Sequence, residues 1–223
     1  MYKVTGDFSL MIRWDRYFCR NGGQYKKYEN NSKVLTSGYK KPLMITMLIP
    51  WITFWIAVSI NASVGAVITL AVCACIPVIM ARKELTVYDR ISLGVITLLS
   101  VLALQKNTQT ISIVAGYAAF GLMWLVSCFT KEPVCAAYVK YNYNGEDALN
   151  NPIFMKTNYI LAACWGILYI STAAWSWFLL KSDMLVLMQI LNNAATAAMG
   201  IFTVWFEKWY PPHVASRAVG YKA

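Results

Sequence analysis

Few side chains in this sequence are equipped for chemistry, and their spacing limits what they can do. The one histidine, His213, follows Pro211-Pro212 near the C-terminal end. General-base work by an imidazole needs a donor or nucleophile placed within hydrogen-bond reach, and no neighbour in the sequence supplies one. Six cysteines raise a metal or redox reading. Cys73 and Cys75 stand two apart in an apolar run, so on a helix they point about 200° apart and cannot share one ion. A helix carrying both Cys128 and Cys135 would have to cross Pro133, and Cys19 and Cys164 stand alone. No CxxC, CxxCH, histidine pair, GxGxxG or P-loop is present. The sequence therefore predicts reduced, buried thiols, with no cofactor, no metal and no catalytic residue.

The other candidates are neutral and lie in apolar surroundings. Gln189, Asn193, Thr196, Gly200 and Thr203 follow the spacing i, i+4, i+7, i+11, i+14, which is one stripe of a helix. Asn192 stands beside it, and Ala194, Ala195, Ala197 and Ala198 are interleaved. An amide turned to lipid is costly, so such a stripe must face protein or water. It reads as interhelical hydrogen bonding with close small-residue packing, or as the wall of a path for a small neutral solute or ion. Asn158, Ser171 and Thr172 are candidates to face it.

The elements that carry these groups are set by charge. The chain has 223 residues, 58% of them hydrophobic and 13% charged, against roughly 25% charged in soluble domains. Residues 43–81, 107–130, 157–180 and 184–206 hold no Asp, Glu, Lys or Arg. A bilayer core about 30 Å thick takes ~20 apolar residues per helix, so the first stretch suits two spans with a turn at Asn61-Ala62-Ser63. Six helices are expected, near residues 43–60, 64–81, 91–104, 110–129, 159–180 and 184–206. The fold class is an all-α polytopic membrane bundle. Strands are the alternative for the Val/Ile-rich parts, but the period-2 alternation of a barrel is missing. The expected organisation is a basic tail over 1–41, a transmembrane domain over 42–206 with a long loop over 130–157, and a tail over 207–223.

The net charge of +10 first suggests nucleic acid. Its placement points elsewhere. All but Lys106 and Lys181 of the 20 lysines and arginines fall in the two tails, the loop after the second helix and the loop after the fourth. The positive-inside rule then places both termini and both longer loops in the cytoplasm. The expected location is a plasma membrane, as in a bacterial inner membrane, and no nucleic-acid partner is expected. Near the N-terminus, Trp14 and Phe18 share a helical face while Arg13 and Arg16 lie on another, which predicts a short interfacial helix on anionic inner-leaflet lipid. The expected thiol state agrees with that compartment. Trp175, Trp177, Trp205, Trp209 and Tyr210 stand toward helix ends, as in an interfacial belt, while Trp51, Trp55, Trp124 and Trp165 stand deeper, as packing residues or as an aromatic cage for a cation.

The loop between the fourth and fifth helices is long for a connector and is a candidate functional segment. It carries Phe129, Thr130, Tyr138, Asn151, Pro152, Phe154 and Asn158, with part of it helical over 134–141. Together with Asp89-Arg90-Ile91-Ser92-Leu93-Gly94 opening the third helix, Trp165-Gly166 in the fifth and Phe202-Thr203 closing the sixth, this order resembles bacterial multi-span proteins of the intracellular septation protein A type. The resemblance covers roughly residues 85–210. It implies an integral membrane protein with no catalytic residues to carry over.

Three functions are compatible with these features. The first is a non-enzymatic membrane component that assembles with itself or with another membrane complex. The second is a channel or facilitator along the polar stripe. The third is a lipid-active enzyme using Asp89, Glu132, Tyr138 and His213, for which no motif sets the spacing. The first is the expected one. Proton-coupled transport is disfavoured because no titratable acid or base lies inside a predicted span.

Overall fold

The computed structural model describes residues 44–80, 85–105, 107–143 and 145–220. The predicted interfacial helix with Arg13, Trp14, Arg16 and Phe18 lies outside the described residues.

Among the described residues seven α-helices follow one another: α1 Met44–Ile60, α2 Ala62–Ile79, α3 Val87–Ala103, α4 Gln109–Ser127, α5 Val134–Val139, α6 Pro152–Lys181 and α7 Leu185–Gly220. Two 3₁₀ turns, Lys140–Asn142 and Gly145–Asn150, complete the connection between α5 and α6. No strand occurs among the described residues. Among the described residues four helices are long and apolar enough to cross a membrane: α2, α4, α6 and the Leu185–Ser216 stretch of α7. α1 and α3 have 17 residues each. Described residues that are mostly helical and hold no strand suit a membrane protein, because a helix satisfies its own backbone polar groups.

Local chemistry sets the helix ends. α1 and α2 are joined by Asn61 alone, whose side-chain oxygen accepts from Val64 N at 3.0 Å and so caps α2. Asn151 caps α6 by accepting from Ile153 N and Phe154 N, with Pro152 in the first helical position. Between α3 and α4, and between α6 and α7, the tight turns hold Asn107 and Asp183 at φ of 63° and 55°. Asn and Asp tolerate this left-handed region better than most residues. Four buried hydroxyls are satisfied within their own helices. Thr69, Ser100, Thr157 and Thr172 each donate to the carbonyl four residues back, at 2.8 Å in every case.

Packing centres on α4 against α6 and on α1 against α2. Glycines let these pairs approach. A Cβ on Gly65 would strike the α1 backbone at Ala57 and Val58. On α4, a Cβ at Gly121 would meet the Gly166 carbonyl of α6 at 3.0 Å, and one at Gly166 would meet the Leu125 side chain. Large side chains fill the centre: Met47, Trp51, Phe54, Phe120 and Trp124 are fully buried. The indole N–H of Trp51 donates to Ser92 on α3. α7 packs chiefly on α6.

Three boundaries differ from the sequence expectation. α3 begins at Val87 and α6 at Pro152, each earlier than the apolar run, because a capping residue starts each helix ahead of it. α7 continues past residue 206 to Gly220 and passes through Pro211 and Pro212. Each proline removes a donor and crowds the carbonyl four residues back, yet the helix runs on through both.

Candidate functional site

The densest polar cluster among the described residues lies where α3 begins. Thr86 and Asp89 form a reciprocal capping box: Thr86 Oγ1 accepts from Asp89 N at 3.1 Å, and Asp89 Oδ2 accepts from Thr86 N at 2.7 Å. Asp89 is only 2% exposed. Its carboxylate also accepts from Thr86 Oγ1 at 2.8 Å, from Tyr138 OH at 2.8 Å and from Thr46 Oγ1 at 3.4 Å. One buried carboxylate therefore ties together α1, α3 and α5. Burial pushes the Tyr138 phenol well above its ordinary range. The hydrogen bond with Thr86 pulls it back by less, and the Asp89 charge adds to the rise. Tyr138 is thus held as a neutral donor.

Beside this cluster the loop is built on a lysine. Lys140 is 6% exposed and bridges Glu132 at 2.7 Å and Glu146 at 2.6 Å. Burial draws its pKa down, but the hydrogen bonds to Glu132 and Glu146 outweigh burial and leave it raised. Tyr88 OH donates to the Glu132 carbonyl and lies 3.1 Å from Thr130 Oγ1. Tyr159 OH donates to the Thr130 carbonyl at 2.7 Å. Cys135 is buried in α5, and burial drives its thiol far up, with smaller pushes from Glu207, Cys128 and Cys164 against a small opposing backbone hydrogen bond.

The loop candidates divide accordingly. Thr130 and Tyr138 join the polar cluster. Asn151 and Pro152 start α6. Asn158, 3% exposed, donates to the Phe154 carbonyl at 2.8 Å, and the Phe154 ring meets Tyr143 at 5.4 Å. Phe129 is 87% exposed. His213 is stacked on Trp209 at 4.7 Å along α7 and takes no part in the hydrogen bonds of Asp89. Asp89, Tyr138 and Glu132 are thus neighbours, while the only imidazole is not with them.

On α7 the polar residues fall on more than one face. Asn192 is buried at 4% exposure. It accepts from Trp175 Nε1 at 2.6 Å and donates to Ser176 Oγ at 3.2 Å, both on α6. Thr203 accepts from Trp165 Nε1 at 3.1 Å. Gln189 is half-buried, whereas Asn193 and Thr196 are exposed. Thr172 is buried and bonded within α6.

Asn192, Asn193 and Thr196 border a cavity of about 210 Å³, whose aromatic wall includes Trp55, Tyr117, Trp165 and Tyr169. These rings lie face to face: Trp55 on Tyr117 at 4.5 Å, and Tyr169 on both Trp55 and Trp165 at 5.7 Å. With their faces against one another, the rings serve packing better than cation capture. The buried N–H groups of Trp55 and Trp124, whose rings also border the cavity, have no partner among the described residues.

Among the described residues, no three His, Cys, Asp or Glu side chains come together in a metal-ligating group. Comparisons with protein-family models, with curated proteins and with solved structures find no match.

Two features escaped the sequence reading. The pattern Thr86-x-x-Asp89 is a capping-box signal and was open to recognition. The Glu132–Lys140–Glu146 bridge has no local signature, since its spacing fits neither helix nor strand.

Proposed function

We propose that this chain is a non-enzymatic, multi-pass protein of a bacterial inner membrane. It would have six spans, with both termini and the 130–157 segment in the cytoplasm. Its task is assembly: the outward face of α7 seats a second copy of the chain.

A single observation carries this proposal. α7 has two opposed faces, and only one of them is covered. Met188, Asn192, Met199 and Phe206 lie toward α6. Val186, Ile190, Asn193, Ala197, Ile201 and Val204 are exposed on the opposite face. They follow at intervals of four, three, four, four and three residues, close to the seam of a coiled coil. An amide in the middle of such a seam is costly against lipid and is a known device for fixing helix register. Ala197 beside it lets two backbones come close, and Gly200 one turn on has open space around it.

Disulfide trapping in native membranes tests this assembly. In a cysteine-free background, Ala197→Cys is expected to give dimers on mild oxidation, and Ala195→Cys, about 160° around the helix on its covered side, is not. Ala197→Cys chains that stay monomeric while remaining folded would exclude a second copy on this face.

The aromatic cavity beside Asn193 and Thr196 favours a second function, a facilitator for a small neutral solute or ion. There, Asn193→Leu with Thr196→Val should reduce flux through reconstituted protein. An unchanged flux for every solute tried removes it.

A further inference from the structure

A second hollow, of about 830 Å³, lies between α3, α4 and the loop, within the size range of ligand pockets. Its floor is apolar: Ile91 and Val95 on α3, with Ala119, Leu122, Met123 and Val126 on α4. Its mouth is polar and includes Tyr88, Thr130, Lys131, Glu132 and Lys140. The floor is open at the side, where Ile91, Leu122 and Val126 are 46%, 53% and 58% exposed.

We propose that this groove is a seat for one anionic glycerophospholipid of the leaflet next to the loop. The seat rests on the membrane location proposed above, but not on the α7 seam.

Its dimensions suit one leaflet. From Ala119 to Ser127, and from Val87 to Val95, the helices advance about 12 Å, against ~15 Å for half of a hydrocarbon core. An acyl chain lying on this floor would end where the mouth begins, at the depth of a headgroup.

The mouth selects charge. Lys140 is held between Glu132 and Glu146, a triad of net charge −1 that offers a headgroup no free cation, so any attraction must come from Lys131. Lys131 is exposed and has no ion-pair partner among the described residues. A phosphate diester with no cationic group of its own complements that single charge. The bridge on Lys140 and the bonds of Tyr88 and Thr130 hold the mouth in shape before any lipid arrives, which lowers the cost of ordering on binding. Phe129, standing out beside Thr130, suits the interface at the same level.

The test uses the full chain in mild detergent, with phosphatidylglycerol or phosphatidylcholine of identical acyl chains added, and counts retained lipid by native mass spectrometry. Phosphatidylglycerol is expected to be retained about fivefold better, the size of one lysine's attraction to an anionic headgroup. Lys131→Gln should bring it down to the phosphatidylcholine level and leave phosphatidylcholine unchanged. Val126→Trp, at an exposed position on the floor, should reduce both lipids while circular dichroism shows unchanged helix content. Equal retention of the two lipids by the native chain, or Lys131→Gln binding phosphatidylglycerol as before, would overturn the proposal. Neither outcome touches disulfide trapping through Ala197→Cys, so the two proposals fail separately.

Discussion

At the scale of the residue, the feature with most consequence is the buried carboxylate of Asp89. It receives bonds from three parts of the chain, and Tyr138 is the partner whose protonation is open to experiment. A phenol held above its ordinary range keeps its proton in the folded protein while the unfolded chain loses its own near pH 10. The unfolded state then binds fewer protons, so stability falls as pH rises through that point and is undiminished below it. Lys140, also raised, acts with the same sign in the same alkaline window. Tyr138→Phe should lower stability by about 1–3 kcal/mol at neutral pH, since it removes a donor from a buried charge. It should also flatten the decline between pH 9.5 and pH 11 (~10 being the free phenol's pKa). Thermal unfolding in detergent across that range measures both effects, and a Tyr138→Phe curve parallel to the native one would show that the phenol carries none of the decline. Of this cluster, the sequence contained Thr86-x-x-Asp89 as a cap in plain form. Tyr138 could be suspected from its place in the loop. Their meeting depended on α5 packing against α6 with the Tyr138 side chain reaching the start of α3, which no local spacing encodes.

At the scale of the element, the helices were readable as lengths but not as faces. Uncharged runs gave the positions of α1, α2 and α4 closely, and the cores of α6 and α7 but not the start of the one or the end of the other, because an apolar segment of that length has few alternatives. Facing is harder in helices that are apolar all round. Asn192 and Asn193 are neighbours about 100° apart, and the polar stripe through Asn193 was the more regular of two possible faces. Packing divides them: Asn192 bonds Trp175 and Ser176, and Thr203 of the stripe bonds Trp165, while Asn193 is exposed. The close contact of α4 and α6 was likewise invisible, since Gly121 and Gly166 are 45 positions apart and only their juxtaposition gives them meaning. Gly121→Leu should separate these two helices at the Gly166 carbonyl and lower the midpoint of thermal unfolding, with a cost of about 1–3 kcal/mol for overpacking. Gly94→Leu is the control, because a Cβ there meets nothing within 4 Å. Equal losses for both variants would show that the α4–α6 approach has no special role.

At the scale of the whole molecule, charge asymmetry and helix order make one joint prediction about sidedness. With six spans, the turns after α3 and α6 lie on one side and the α5–α6 connection on the other. Single cysteines at Gln105 and Ser182, in a cysteine-free background, should react with an impermeant thiol reagent on intact cells. Asn150→Cys should react only once the membrane is opened. Labelling of Asn150→Cys and Ser182→Cys from the same side would contradict the six-span plan. The α1–α2 hairpin bears on how such a chain enters a membrane at all. Its two helices are joined by one non-helical residue, Asn61, and the only amide at the tip is already engaged with Val64 N. No charged residue lies between 43 and 81, so the translocating tip carries no ion and little unsatisfied backbone. Neither helix has the slack to thread separately. During synthesis the pair would therefore enter the bilayer as a closed hairpin in one step, once α2 has left the ribosome. The start of α3 would remain on the side of synthesis, where Asp89 can wait for Tyr138.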